Sequence, residues 1–236
     1  MKKLVIIPAF NEAENLSSVV ADIKENAPGF DYIIINDAST DNTKEVCEEE
    51  GLNYLDLASN LGIGGAVQTG YQYALEEGYD IAVQIDGDGQ HKAESLVKLM
   101  AVLSAENCDM VIGSRYIDKK GFQSTALRRF AIRWLSGLIH VLTGTKITDP
   151  TSGLRLCNRA VIEVFARKYP WDYPEPESTT GLIASGFTVK ETAVEMRARQ
   201  GGRSSLSNPL SALFYMVKVS LGIVIEAIGG RKKNEP

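Results

Sequence analysis

Five short, largely apolar runs punctuate the first half of the chain: Leu4–Ile7, Tyr32–Ile35, Leu52–Leu57, Ile81–Ile85 and Met110–Gly113. Helix-spaced segments separate them. The first places Leu16, Val19, Val20 and Ile23 at the i, i+3, i+4 and i+7 positions of an amphipathic helix, closed by Pro28-Gly29. A second starts after Asp41 or Asn42, either of which can cap it, and ends near Gly51. A third runs from Gly64 to Glu77, and a fourth carries Leu96, Leu99, Met100 and Leu103. Strands that are apolar at consecutive positions are buried on both faces, which requires helices on both sides of a parallel sheet. The pattern predicts an α/β fold with a mainly parallel central sheet. Ligands of such sheets sit beyond the carboxyl ends of the strands. The polar clusters of this chain follow its first, second, fourth and fifth runs.

Past Arg115 the alternation loosens. A helix is expected over Leu127–Leu142, a short strand over Gly153–Cys157, a loop over Trp171–Pro176 and a strand over Thr188–Val194. The 236 residues are 44% apolar and 23% charged, which excludes a disordered chain and leaves room for a sizeable core. A net charge of −5 argues against a general duplex-DNA binder, so no nucleic-acid partner is expected. It leaves open a local arginine cluster for a phosphorylated ligand. Three scattered cysteines without a CxxC pair, and two histidines, build neither a zinc site nor a disulfide framework. The segment Met1–Pro8 lacks the apolar stretch of a signal peptide and reads as a buried first strand.

The sharpest chemical feature is Asp86-Gly87-Asp88-Gly89-Gln90. Two carboxylates at i and i+2 after a buried strand can turn toward one cation if the glycine between them lets the backbone bend. Mg²⁺ and Mn²⁺ take oxygen ligands and share their shell with substrate phosphates. Asp86 and Asp88 are therefore the candidate ligands, and the Gln90 amide a third. The EF-hand rival fails, because His91 stands where its glycine belongs and Val97 where its glutamate belongs. Asp37, at the end of the second run, can accept hydrogen bonds from a ribose or a base, or merely cap a helix; for Asp41 capping is the expected role. Gly62-Ile63-Gly64-Gly65-Ala66-Val67 follows the third run and lacks both the dinucleotide fingerprint's last small residue and the P-loop's Gly-Lys-Ser/Thr ending. It is expected to let a helix start pack closely, which excludes a nicotinamide dehydrogenase and a P-loop kinase. His140 is expected to be a packing residue. No GxSxG or other nucleophile constellation occurs.

Arginines gather in the second half: Arg115, Arg128, Arg129, Arg133, Arg155, Arg197, Arg199 and Arg203. Arginine forks bind phosphate bidentately, so two or three of these are expected to serve a diphosphate site. Leu210–Ile228 is almost wholly apolar, with Ser211, Tyr215, Lys218, Gly222 and Glu226 on one narrow stripe. Basic residues flank it, which predicts a helix lying at a membrane interface, with burial in an oligomer or against the core as the alternative.

Together these segments resemble the family 2 glycosyltransferases, and among them the polyprenol- or dolichol-phosphate sugar transferases. The likeness rests on Pro8-Ala9-Phe10-Asn11-Glu12, Asn36–Asp41, Asp86–His91, Gly113-Ser114-Arg115, Asp149–Arg155, Glu175-Pro176-Glu177, and Arg199 with Gly202–Ser205. It implies a GT-A-type nucleotide-sugar-binding fold over residues 1–207, followed by a membrane-interfacial or oligomerisation helix and basic tail over 208–236. It implies that Pro8, Phe10 and Glu12 contact the nucleoside and Asp37 the base or ribose. Asp86, Asp88 and Gln90 would hold Mg²⁺ or Mn²⁺ against the diphosphate. Arg115, Arg129 and Arg199 would face donor and acceptor phosphates, and Ser152, Arg155 and Arg203 the acceptor. The family's lysine after Gly-x-Ser is Ser205 here, so Arg203 is expected to supply that charge.

The expected activity is metal-dependent, inverting transfer of a sugar from a UDP- or GDP-sugar to polyprenyl phosphate. The expected setting is peripheral, on the cytoplasmic face of the membrane, alone, as a homo-oligomer or with a membrane-protein partner. An ionised lipid phosphate needs no strong base. A saccharide hydroxyl, the alternative acceptor, would need a carboxylate such as Glu177 or Asp149. A nonenzymatic nucleotide-sugar-binding subunit is the alternative of another class.

Overall fold

All five apolar runs lie in one seven-stranded sheet in the computed structural model, which describes residues 1–118, 126–197 and 209–231. Its strands are β1 (Lys3–Ala9), β2 (Asp31–Asn36), β3 (Tyr54–Asp56), β4 (Ile81–Gln84), β5 (Met110–Ser114), β6 (Arg155–Asn158) and β7 (Val189–Ala193). The helices between the early strands are α1 (Leu16–Asn26), α2 (Thr43–Glu49), α3 (Gly62–Glu76) and α4 (Glu94–Glu106). Later come α5 (Ala126–Thr143), α6 (Arg159–Arg167), α7 (Pro174–Ala184) and α8 (Pro209–Arg231).

The strand order is β3-β2-β1-β4-β6-β5-β7. β1, β2, β3 and β4 pair in parallel, as do β5 and β7, whereas β6 runs antiparallel to both β4 and β5. Every residue from Leu4 to Ala9 is buried, and alternate side chains feed two separate cores. Leu4 and Ile6 join α3, α5, α6 and α8 on one face; Val5 and Ile7 join α1 and α4 on the other. This two-sided covering is why β1 reads as an unbroken apolar run rather than an alternating one.

The glycines at the start of α3 allow close packing, although against a loop rather than the sheet. A Cβ on Gly64 would lie 2.1 Å from the Pro170 carbonyl oxygen and 2.3 Å from that of Trp171, while the Gly64 N–H donates to Trp171 O at 3.0 Å. Gly64→Ala is expected to destabilise the protein by about 1–3 kcal/mol, because backbone atoms must shift to admit the methyl. A melting temperature equal to the parent's would refute this packing role.

Two helices escaped the sequence pattern. α7 occupies what reads as a loop, because Pro174 and Pro176 suggest a break; both sit in its first turn, where a missing N–H costs nothing. Its buried positions include Ser178, Thr179 and Thr180, so it has no apolar stripe to detect. α6 follows Asn158, whose side chain accepts from Val161 N at 3.1 Å as an N-cap, and buries Val161, Ile162, Phe165 and Ala166 at helical spacing.

The last helix, α8, packs against α7 and α5. Its polar stripe faces the protein. Gly222 lies against the Glu177 carboxylate, Lys218 pairs with Asp172, and Glu226 pairs with Lys168 at 2.7 Å. Tyr215 meets the Tyr173 ring edge-on at 4.6 Å, and Val219, Ile223 and Ala227 are buried. α8 thus shares its core with the sheet, and Phe214, Val217, Leu221, Ile225 and Ile228 are exposed on its outer side. Among the described residues no helix is long and apolar enough to cross a membrane. His140, expected to pack, is exposed on α5.

Candidate active site

A cleft of about 590 Å³ opens at the carboxyl ends of β1, β2 and β4. Pro8, Phe10, Glu12, Asp37, Asp86, Asp88, Gln90, Arg115 and Ser152 all line it, so one cavity collects most of the residues singled out above. Arg199 and Arg203 lie outside the described residues.

One wall joins the loops after β1 and β2. The Asn11 side-chain carbonyl accepts from Thr40 N at 2.8 Å and Asp41 N at 3.2 Å, and Glu12 N donates to Thr43 Oγ1 at 3.0 Å. Asp41 caps α2 through Thr43 N at 3.0 Å. Asp37 is 3% exposed; its Oδ1 accepts from Leu61 N at 2.6 Å, while its backbone carbonyl accepts from Asn60 Nδ2. Asp37 lines the cleft together with Asn60, Ile63 and half-exposed Phe10.

The floor is the loop after β4. Its left-handed residue is Gly89 (φ +71°), not the intervening Gly87 expected to supply the bend. Gly87 instead permits close approach to β1, since a Cβ there would lie 3.1 Å from Pro8 O. Asp88 Oδ1 accepts from Gln90 N at 3.1 Å. The Gln90 amide donates to Arg197 O at 3.4 Å. Asp86 packs on the bare backbone of Gly153, where a Cβ would come within 2.5 Å of Oδ1. Burial pushes the Asp86 carboxyl up, but His91, Gln84 and Arg115 together outweigh it and hold the group below the usual carboxylate range. A carboxylate kept ionised beside a second one suits a divalent cation. No group of three or more His, Cys, Asp or Glu that could hold a metal exists among the described residues. The residues present therefore fit Mg²⁺ or Mn²⁺ completed by a donor's phosphates rather than a closed protein cage.

Two arginines organise the opposite wall, in different ways. Arg115 Nε donates to Asp149 Oδ2 at 2.6 Å and Nη2 to Oδ1 at 2.8 Å, a bidentate pair facing the cleft. Burial lowers the Arg115 pKa, but Asp149 more than compensates and keeps it above its ordinary value. Asp149, suggested as a base, is fully buried in this pair, and its N–H and that of Thr148 donate to Glu191. Arg155, expected at the acceptor, is also fully buried. Its guanidinium donates to Ser152 O, Pro150 O, Glu175 O, Ser178 Oγ and Thr179 Oγ1 at 2.7–3.0 Å, so it holds the first turn of α7 instead of meeting a ligand. The Ser152 hydroxyl is likewise committed, donating to Gly113 O at 2.7 Å.

The residue that sequence reasoning passed over is Glu175. It lines the cleft, whereas Glu177, the other suggested base, points at α8. Burial first, and then the Asp86 charge, raise the Glu175 carboxyl above its ordinary value, against the opposing pull of Arg155. Its only signal was membership of the Glu175-Pro176-Glu177 motif, with no indication of which acid faces inward.

Arg129 stands apart from the cleft but next to it. With Arg133, Lys146, Tyr116 and Thr148 it lines a separate cavity of about 510 Å³, one residue along the chain from both Arg115 and Asp149.

Fold and site together define a GT-A-like nucleotide-sugar-binding enzyme. Residues 4–165 match the family described as Glycosyl transferase family 2, and the chain belongs to that family: it is a glycosyltransferase. It is 30% identical over 92% of its length to the polyprenol monophosphomannose synthase of Mycolicibacterium smegmatis, covering 86% of that protein. Its fold matches the glucosyl-3-phosphoglycerate synthase of Mycobacterium tuberculosis bound to phosphoglyceric acid, with a TM-score of 0.71, 18% identity, and coverage of 96% of this chain and 80% of that one. The same enzyme holding Mn²⁺, UDP-glucose and phosphoglyceric acid matches with a TM-score of 0.71, 19% identity, and coverage of 96% and 79%.

These findings correct three expectations: the polyprenol-phosphate subgroup, the polyprenyl-phosphate and membrane partners, and the place on a membrane face. The matched structures belong to an enzyme bound to phosphoglyceric acid, and they cover 96% of this chain.

Proposed function

We propose that this protein transfers a sugar, with inversion, from a nucleoside-diphosphate donor to a hydroxyl group of a small phosphate- or carboxylate-bearing acceptor, with Mg²⁺ or Mn²⁺ as cofactor. The observation that carries the reading is Glu175, a carboxylate with a raised pKa opening on the same cleft as Asp86, Asp88 and Arg115. A hydroxyl acceptor needs a base, and a carboxyl poised nearer neutrality is a better one. Glu175 takes the hydroxyl proton as that oxygen attacks the anomeric carbon, while the bond to the nucleoside diphosphate breaks on the other side. Arg115, held rigid by Asp149, meets the charge that builds on the leaving diphosphate. Asp86 and Asp88 would hold the divalent ion, which would supply Lewis-acid neutralisation of that same charge. Asp37 and Phe10 seat the nucleoside.

Support for an anionic acceptor comes from the neighbouring cavity, which three cationic side chains line with no carboxylate among the described lining residues. Incubation of the purified protein with Mn²⁺, UDP- or GDP-sugars and glycerol phosphates or phosphoglyceric acid is expected to yield a glycosylated product, absent in Asp88→Ala. The double variant Arg133→Ala, Lys146→Ala is expected to raise the acceptor KM at least tenfold, on the order of one charged hydrogen bond, with donor KM unchanged. Equal rates with the dephosphorylated acceptor would remove the anionic requirement.

A further inference from the structure

His91 is the most buried side chain of the metal loop, and it has no part in the scheme above. It follows Asp86 by five positions, its side chain is 2% exposed, and its Nε2 lies 3.7 Å from Asp86 Oδ2. A bridge to Met196 fixes its backbone, and Arg197 N donates to Gln90 O at 2.9 Å, so the loop is clamped from the far side of the sheet. Its Nδ1 is buried without a hydrogen-bond partner. His91 also lines a second, very small cavity of about 10 Å³ together with Asp22, Ala93 and Arg197. That is the space of a single water. Asp22 there accepts from Ala93 N at 3.3 Å and from Arg197 Nη1 at 3.4 Å, and Oδ1 takes the Asn26 amide.

We propose that His91 is a positioning residue for the cation site: one water in the small cavity joins its Nδ1 to Asp22, and Nε2 holds the Asp86 carboxylate turned into the cleft. The orphaned nitrogen and a water-sized cavity lined by both His91 and Asp22 are explained together by this arrangement. An anchored imidazole behind a ligand carboxylate restricts its rotation, so less order has to be gained when the ion binds. The inference rests on the reading of Asp86 as a metal ligand.

The test is Mn²⁺ binding, followed by electron paramagnetic resonance of the free ion, for the full chain in the presence of UDP. Parent, Asp86→Ala, His91→Phe, His91→Asn and His91→Gln are compared, with the melting temperature of each measured without metal. His91→Phe removes both nitrogens, and His91→Asn is too short to reach Asp86. Both are expected to weaken Mn²⁺ binding about 10- to 100-fold, the usual effect of losing a group that orients a ligand. UDP affinity in EDTA should be unchanged. His91→Gln, long enough to donate to Asp86, should recover most of the loss. If Asp86→Ala binds Mn²⁺ like the parent, the metal-ligand reading itself fails. If Asp86→Ala loses the ion while a folded His91→Phe or His91→Asn keeps parental affinity, the positioning role is overturned. Whichever of these two variants folds decides the matter.

Discussion

Glu175→Gln is expected to lower kcat by about 10²- to 10⁴-fold, the usual contribution of a general base, with donor KM and Mn²⁺ dependence unchanged. The variant keeps the shape of the side chain and removes only its capacity to take a proton. In the parent the rate should rise with pH through the Glu175 pKa, which burial and Asp86 hold above the ordinary value of 4.5, and this acid limb should disappear in the variant. Stability moves the other way. A carboxyl whose pKa is raised on folding binds more protons in the native than in the unfolded state, so its contribution declines as pH climbs through the raised value. Near neutral pH the glutamine variant should therefore melt no lower than the parent. Loss of rate with a preserved melting temperature separates a chemical role from a structural one; a kcat within a few-fold of the parent's would falsify Glu175 as the base.

Arg155→Met should have the largest effect on stability. The methionine fills much of the volume but leaves the carbonyls of Pro150, Ser152 and Glu175 without the donors they have now. Glu175 also loses a buried positive charge, which would drive its pKa higher still. Removing one member of a buried charged network typically costs about 3–5 kcal/mol. For a chain of this size that is a fall in melting temperature of about 6–20 °C. Arg155→Lys is not expected to restore it, because an ammonium cannot reach the five acceptors that the planar fork meets together. Thermal melts of both variants, read beside residual activity, test this. An Arg155→Met protein as stable as the parent would show that the guanidinium is not what anchors α7.

The two arginines of the back wall show why residue type alone could not assign roles. Arg115 and Arg155 both follow polar motifs at strand ends, and both were expected to face ligands. Arg115 pairs with Asp149 and lines the open cleft. Arg155, on a strand inserted antiparallel between β4 and β5, is carried underneath the site and captured by α7. Strand direction decides between these outcomes, and it leaves no trace in four residues of local sequence.

By itself the sequence determined the parts of this protein that depend on local periodicity and local chemistry. Unbroken apolar runs specified the strands β1, β2, β4 and β5, because burial on both faces demands apolar residues at every position. Polar clusters at their ends marked where the cleft would open, and the Asp86-Gly87-Asp88 spacing its floor. Tertiary structure alone decided what depends on partners distant in the chain. Lys168, Asp172 and Glu177 draw the polar stripe of α8 inward, reversing the face that its own composition would hide. The first-turn prolines of α7 and the grip of Arg155 aim Glu175, not Glu177, into the cleft. Both outcomes are set by pairing energies between segments, which no window of neighbouring residues contains.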